Sequence, residues 1–471
     1  MIDVALLLMK MGIRRALWGR YNPKDLQALL KIIAKDYATY GSVSEPPWAG
    51  IGMSKKDLQI IQQRRLYHTI RYAYQHVPFY HKLLKGISIN SSDPNLIKKV
   101  PTTDKVALAT HFNEFISDKA KLPSMRCVTT ASTTYPPTEI LASEEEINVW
   151  TYLTAITMFT RGYVVPDDIV QICFSSRARP GTFISEKSCI EIGAFCINAG
   201  IIEPKHALDL LIREWNVRRK KKKVNKLLAY PSYVSRLIET AKREGYSPSE
   251  FEIEKVWFGG ELVSAGLRER VKEFFGAEII ELYSTTEIVP VSALMCENGR
   301  MHFDPTLGYV EVLDPETKEE VAEGEEGVVT VTPFYPDRET MPVIRYWTGD
   351  VTKKVSDCNC KTSSFPCVAK IDGRMVFQTR YNNRSINQRD IIEALEDIPE
   401  VINPVHVNVT LNNGVPQVAV GVYKRNSSVQ DNIRKALEKI GLENVQVTLC
   451  LESEPFKHWP LRGYLIEQSF A

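Results

Sequence analysis

The chain has 471 residues, of which 44% are hydrophobic and 25% charged, and its formal net charge is +2. That length is too great for one ordinary hydrophobic core, and the composition excludes an intrinsically disordered chain. The near-neutral balance excludes a global basic field for nucleic acid.

The opening stretch MIDVALLLMKMGIRRALWGR carries an apolar run from Val4 to Met9, which Lys10 interrupts and Arg14 and Arg15 follow. The run is too short to cross a bilayer, and its charges lie on the wrong side for a secretion signal. A packed N-terminal helix is therefore expected, with an interfacial membrane helix as the alternative. No later segment reaches the roughly 18 uninterrupted apolar residues of a membrane span, so a cytoplasmic protein with no membrane partner is expected. Between Leu26 and Leu84 the apolar residues recur at helical spacing, with a break at Pro46 and Pro47 and a stop near Pro78.

Strand-like runs then alternate with helical patterns through DIVQICF (168–174), ALDLLIREW (207–215), NKLLAY (225–230), VSRLIETAKREG (234–245), EKVWFGG (254–260), LRERVKEFFG (267–276) and AEIIELY (277–283). This alternation predicts an α/β protein whose largely parallel sheet has helices on its faces. The basic run Arg218 to Lys223 reads as solvated surface, with a site for the phosphates of a nucleotide-like thiol as the alternative. After Glu287 come short β-rich pieces, YVEVLDPET, EGVVTVTPF and DVTKKV, which predict a smaller β element attached to the main sheet. The last ninety or so residues read as a compact α+β unit, which gives domains at 1–372 and 373–471.

Chemistry concentrates in ELYSTTEI, where a strand delivers Tyr283, Ser284, Thr285, Thr286 and Glu287 to a turn. Open α/β sheets bind ligands at such strand ends. An aromatic there can stack on a base, a hydroxyl can bond a phosphate oxygen, and a carboxylate can hold Mg²⁺ beside a triphosphate. Upstream, Gly259 and Gly260 permit close backbone approach and Glu261 follows them; downstream, Asp350 after Thr348 and Gly349 suits a carboxylate that accepts both hydroxyls of a ribose.

The order and spacing of these three elements resemble the adenylate-forming superfamily. Within it, RLYHTIRYAYQHVPFYHKLL (65–84), AYPSYVSRLIETAKREG (229–245) and GRMHFDP (299–305) are similar to phenylacetate–CoA ligases, from about Arg65 to the C-terminus. The resemblance implies a large N-terminal domain with mostly parallel sheets and a β-rich subdomain, plus a small mobile α+β domain. It also implies ATP, Mg²⁺ and CoA or a carrier thiol as reactants, with a small carboxylate as substrate. Glu287 would ligate Mg²⁺, Thr286 bind phosphate, and Tyr283 flank adenine; Gly259, Gly260 and Glu261 would line the nucleotide pocket, Ser284 and Arg374 would also bind the nucleotide, and Asp350 hold the ribose. The acid would meet the region 173–183, including Arg177, and Tyr230, Ser232 and Tyr233.

Three motifs depart from the family pattern. In CVTTASTTYPPTEI (127–140), Ser132 and Tyr135 replace two phosphate-loop glycines and Pro136 replaces a lysine, while Thr133 and Thr134 remain. The hinge GRMVF keeps Gly373 and Arg374 but lacks the acidic pair that should follow. Near the C-terminus only Lys457 and Arg462 are available for the catalytic lysine, neither in the family context. These changes leave three readings: a ligase, an ATP-independent acyl or amide-forming transferase on the same fold, or a non-catalytic paralogue. Monomer or homodimer stays open.

Nine cysteines in a chain of this length do not make a disulfide scaffold. Cys127, Cys173, Cys189, Cys196 and Cys450 read as reduced core residues. Some relatives carry a structural zinc in the β-rich part, and Cys296, His302, Cys358 and Cys360 would make a closed Cys₃His site, with Cys367 as the replacement ligand.

Overall fold

A computed structural model of the protein describes residues 2–41, 54–120, 125–128, 139–175, 180–382 and 384–451. The helix Ile2–Trp18 lies on Pro23–Tyr40, where Asp25 receives both Lys10 and Arg14 at 2.9 and 2.7 Å. The long helix Lys55–His76 ends at Val77, and Pro78 then opens a second short helix, Pro78–Leu83. Proline reads as a stop in sequence, but at a first helical position its missing N–H costs nothing. The Pro46–Pro47 break lies outside the described residues.

A single sheet of 12 strands organises the rest. Five strands are parallel, in the spatial order Phe195–Asn198, Ile169–Cys173, Lys226–Ala229, Lys255–Gly259 and Glu278–Tyr283. Helices Pro180–Ile192, Pro204–Ile212, Pro231–Glu244 and Ala265–Phe275 cross between them, and the central strands are apolar because both their faces are covered. The sheet continues antiparallel through Ala293–Met295, Met301–Phe303, Cys367–Val368, Tyr346–Val355, Glu326–Pro333 and Gly308–Leu313, and Gly373–Arg374 pairs with Tyr346–Val355. The β-rich stretch is thus the same sheet prolonged. Three strands separate Tyr346–Val355 from Glu278–Tyr283 in this order, yet the Tyr283 hydroxyl donates to Asp350 Oδ2 at 2.9 Å. Strand twist, accumulated over several strands, curls the sheet enough to close that gap.

Glu144–Thr160 is buried along most of its length. Ser143 and Glu146 form its capping box, and the Glu146 carboxylate also accepts the backbone N–H groups of Glu339 and Thr340 at 2.6 and 3.0 Å. The helix is thereby fixed to the loop that joins the antiparallel strands Glu326–Pro333 and Tyr346–Val355.

A second cluster of buried side chains, separate from the main core, runs from Ile386 to Leu449. It lies between the three strands Val407–Asn412, Val415–Val422 and Gln446–Leu451 and the helices Gln388–Leu395 and Ser427–Lys439. This unit docks on the N-terminus of Ala265–Phe275, where Glu396 accepts from Ser264 Oγ at 2.6 Å and Gly266 N at 2.8 Å. A Cβ on Gly266 would stand 2.6 Å from both Glu396 Cδ and Asp397 Oδ1, so only glycine admits this approach.

Half of the basic run is spent on structure, while Arg218, Arg219 and Lys222 are exposed. Lys220 bonds the carbonyls of Pro166 and Gly193, Lys221 pairs with Glu254, and Lys223 donates to Glu250 O at 2.9 Å. These contacts tie the N-terminal ends of the parallel strands, at the opposite end of the sheet from the strand exits at Gly259 and Tyr283.

Candidate nucleotide and acyl site

At the C-terminal ends of the parallel strands lies a cavity of about 270 Å³. Its lining includes Gly259, Gly260, Ser284, Thr285 and Thr286 from the strand exits, and Tyr230 from the turn into Pro231–Glu244. Gly260 adopts φ +78°, and a Cβ there would meet the Tyr230 ring at 3.0 Å, so the double glycine lets an aromatic wall lie against the backbone. The Tyr230 ring is fixed in turn by an edge contact with Phe174, 5.0 Å between centroids. The Thr285 hydroxyl is buried with no hydrogen-bond partner among the described residues, an unspent donor and acceptor on the cavity wall.

Beside this opening the carboxylates of Asp350 and Glu287 form one electrostatic group with Tyr283, Tyr346 and Arg374. Asp350 accepts from Tyr283, and its other oxygen lies 3.5 Å from Arg374 Nε. Burial raises the Asp350 carboxyl above its ordinary value, while Arg374 and the Tyr283 bond oppose the shift and Glu287 adds to it. Asp350 in turn raises Arg374, its largest influence. Tyr346 is held well above its ordinary value by burial and then by Glu287, so it stays a donor facing that carboxylate. Both acids are buried, 7% exposed each, and stand behind the cavity wall while Ser284 to Thr286 form its surface. A carboxylate has about four lone-pair sites, so Asp350 keeps capacity for a further donor.

The other expected site residues fall in different places. Glu261 accepts from Ser232 N at 3.0 Å and anchors the start of Pro231–Glu244. Tyr233 turns away from the cavity, its hydroxyl donating to Ile202 O at 2.7 Å, because the helix packs that face onto the core. Neither Ser232 nor Tyr233 is in the lining, whereas Tyr230 is. Thr133, Thr134, Arg177 and Lys457 lie outside the described residues. Sequence reading missed Trp150, Thr154, Thr157 and Arg161, all on the cavity wall. The helix that carries them is apolar nearly all round, so no stripe in the sequence singled out their face.

Cys296, His302, Cys358 and Cys360 converge, with one ligand atom from each within 4.8 Å of the others, and His302 also lines the cavity. Cys296 and Cys358 sulfurs are 3.6 Å apart, and Cys360 Sγ is 3.3 Å from His302 Nε2. A tetrahedral zinc with Zn–S near 2.3 Å and Zn–N near 2.0 Å requires separations of about this size. Burial, reinforced by the Cys296 and Cys360 thiols, pushes the Cys358 thiol up to about 12, a conflict that a divalent cation would relieve. His302 is lowered by burial first, with Arg161 also contributing, and so is neutral as a ligand must be. Cys367 is buried on the neighbouring strand, with its Sγ toward Val355 O at 3.5 Å. Cys173, Cys189, Cys196 and Cys450 are free thiols.

Comparison with known proteins agrees with this architecture. Residues 180–332 match the AMP-binding enzyme family. A phenylacetate–coenzyme A ligase of Thermus thermophilus is 24% identical over 373 residues, covering 74% of this chain and 78% of that protein. Its counterpart in Escherichia coli K12 is 25% identical over 312 residues, covering 64% and 68%. Among solved structures, 2-hydroxyisobutyryl-CoA ligase in its postadenylation state with 2-HIB-AMP superposes with a TM-score of 0.72 at 20% identity, over 86% of this chain and 89% of that one. The same ligase with 2-HIB-AMP and CoA in the thioesterification state gives 0.61, over 88% and 91%. Residues 180–332 therefore carry the match to the AMP-binding enzyme family, and the chain is a distant relative of the phenylacetate–coenzyme A ligases over most of its length.

Proposed function

We propose that this protein joins a small organic acid, aromatic or aliphatic, to the thiol of CoA or a carrier at the expense of ATP. The observation that carries the reading is the Asp350, Glu287, Tyr283 and Arg374 group set behind a glycine-lined cavity at the strand ends. In the first step a carboxylate oxygen of the acid attacks the α-phosphorus of ATP, and the bond to the β-phosphate breaks, releasing pyrophosphate. In the second, the thiol sulfur attacks the acyl carbon, AMP leaves, and the thiol proton passes to solvent. Asp350 would accept the ribose hydroxyls, Tyr283 and Ser284 flank the base, and Thr286, with Thr133 and Thr134, bind phosphate oxygens. Glu287 would hold Mg²⁺, which when bound neutralises charge on the phosphates. Lys457 would meet the α-phosphate, with residues 373–471 as the moving domain, and the setting would be cytoplasmic with reduced thiols.

The four-residue Cys and His cluster would hold a structural zinc, since all four positions are protein ligands and the site is closed. A second reading, transfer from a preformed acyl thioester without ATP, is favoured by one feature. The turn Met375–Phe377 follows Arg374 with no acidic residue, where the family hinge carries two. Pyrophosphate exchange into ATP with a panel of aryl and aliphatic acids separates the two. Exchange with at least one acid supports the ligase, whereas turnover of an acyl thioester with no exchange from any acid supports the transferase.

A further inference from the structure

The cavity and the Cys and His cluster share a wall. Gly259 pairs with Leu282, Leu282 with Leu294, Leu294 with His302, and His302 with Cys367, each directly across from the next on neighbouring strands. Residues that stand opposite one another in a sheet point to the same face. Gly259, Leu282, Leu294 and His302 all line the cavity, so this row is its floor. At roughly 4.8 Å per strand, the three steps from Gly259 to His302 span about 14 Å. The row therefore begins at a strand exit, beside Gly260, and ends on a residue of the cluster.

A second link comes from the loop 356–366, which joins Tyr346–Val355 to Cys367–Val368 and carries Cys358 and Cys360. The rest of this loop is exposed or half-buried, but Phe365 is 5% exposed and lines the cavity. Consecutive turns connect Phe365 to the cluster: Ser363 N donates to Cys360 O at 3.1 Å, and Phe365 N donates to Thr362 O at 2.9 Å. Phe303 N, next to His302, then donates to Pro366 O at 3.0 Å. An exposed loop without regular structure gains little from burial, so a metal held by four ligands is the anchor that would fix Phe365 in the wall.

We propose that the metal loop selects the acid: Phe365 and His302 form the acyl end of the cavity, and metal in the cluster holds them there. The inference rests on the carboxylate-activating reading of the cavity and gives the metal a role beyond holding the fold. The carboxylate of the acid would lie at the strand exits, near Thr285, with its tail along Leu282 and Leu294 toward Phe365. A fixed apolar wall discriminates by length, because one methylene too many costs binding on the order of 10-fold or more. A wall that has lost its anchor yields to the longer acid, and the discrimination is lost with it.

The test is calorimetric binding of ω-phenylalkanoates, from phenylacetate to 5-phenylpentanoate, to the full chain in zinc-loaded and chelator-stripped form, beside AMP binding and pyrophosphate exchange. Loaded protein should show a length limit, with affinity falling at least ~10-fold over one added methylene. Stripping should flatten that fall to within about 3-fold while AMP affinity stays within about 2-fold. In loaded protein, Phe365→Ala should move the limit to longer acids. A loaded protein without a length limit, a profile that survives stripping, a profile unchanged by Phe365→Ala, or no acid binding at all would overturn the inference. If stripped protein no longer binds AMP, the Phe365→Ala profile decides alone, and if that variant does not fold, the stripped profile does. Exchange with acids whose length profile ignores both changes would leave the ligase reading standing without this inference. A metal-dependent length limit with no exchange from any acid would do the reverse.

Discussion

The two halves of the large sheet are held together by different forces. On the parallel side, strands such as Lys226–Ala229 are buried on both faces and sealed by helices through apolar contact. Charges gather at their N-terminal ends, where Lys221 and Lys226 meet Asp168 and Glu254. On the antiparallel side charges run inside: Arg345 forks onto both oxygens of Glu311 at 3.1 and 3.0 Å, and Arg65 pairs with Asp337 at 2.9 Å. The contrast explains where a site can form. The apolar half supplies rigid strand ends at Gly259 and Tyr283, the polar half supplies Asp350, and the proposed site lies where the curl of the sheet makes them meet.

Removing a metal should break this contrast most severely, because the Cys and His cluster joins loops of the antiparallel half alone. Protein purified without chelator should contain about one zinc per chain, and stripping it, or the Cys358→Ser substitution, should lower Tm by roughly 10 °C or more. Metal-free protein with an unchanged melting curve would count against the site.

The next largest effect belongs to Glu146, which joins the helix Glu144–Thr160 to a loop within the antiparallel half. Glu146→Ala strands the N–H groups of Ser143, Glu339 and Thr340 in a buried place, and about 3–5 kcal/mol of stability should be lost in urea titration. A loss under about 1 kcal/mol would mean that water replaces the carboxylate.

Asp372 probes the polar half more gently. Burial raises its carboxyl from 3.8 to about 6, against the opposing pull of Arg389, 3.1 Å away. The folded state therefore favours the uncharged acid, so its contribution to stability is greatest below pH 4, falls as pH rises to about 6, and is constant above. Relative to wild type, Asp372→Asn should flatten stability across that window by at most ~3 kcal/mol. Parallel pH profiles for the two proteins would show the carboxyl to be solvated.

How much of this was legible depended on range. The alternating runs from 168 to 283 were readable because βα units repeat short-range periodicity, and ELYSTTEI announced a strand exit by its turn residues. The two thiol-bearing loops suggested a shared ligand set, which the pairing of Cys367 with His302 on adjacent strands makes geometrically simple. Other features needed three dimensions. The helix Glu144–Thr160 is apolar nearly all round, so no stripe singled out the face that carries Arg161. The aromatic of Tyr233 resembles a pocket residue in sequence but points to Ile202, one helical position from Ser232. Arg218, Arg219 and Lys222 are exposed as read, but Lys220 and Lys223 are not free surface, which the sequence hid because their acceptors, the carbonyls of Pro166, Gly193 and Glu250, carry no side-chain signal.

The seam between the two halves is best tested by equilibrium binding of AMP, which needs neither the acid nor the metal. If Asp350 holds the ribose, Asp350→Ala should weaken AMP at least ~10-fold while Glu287→Ala leaves it within about 2-fold. An Asp350→Ala protein that binds AMP as tightly as the wild type would contradict the account.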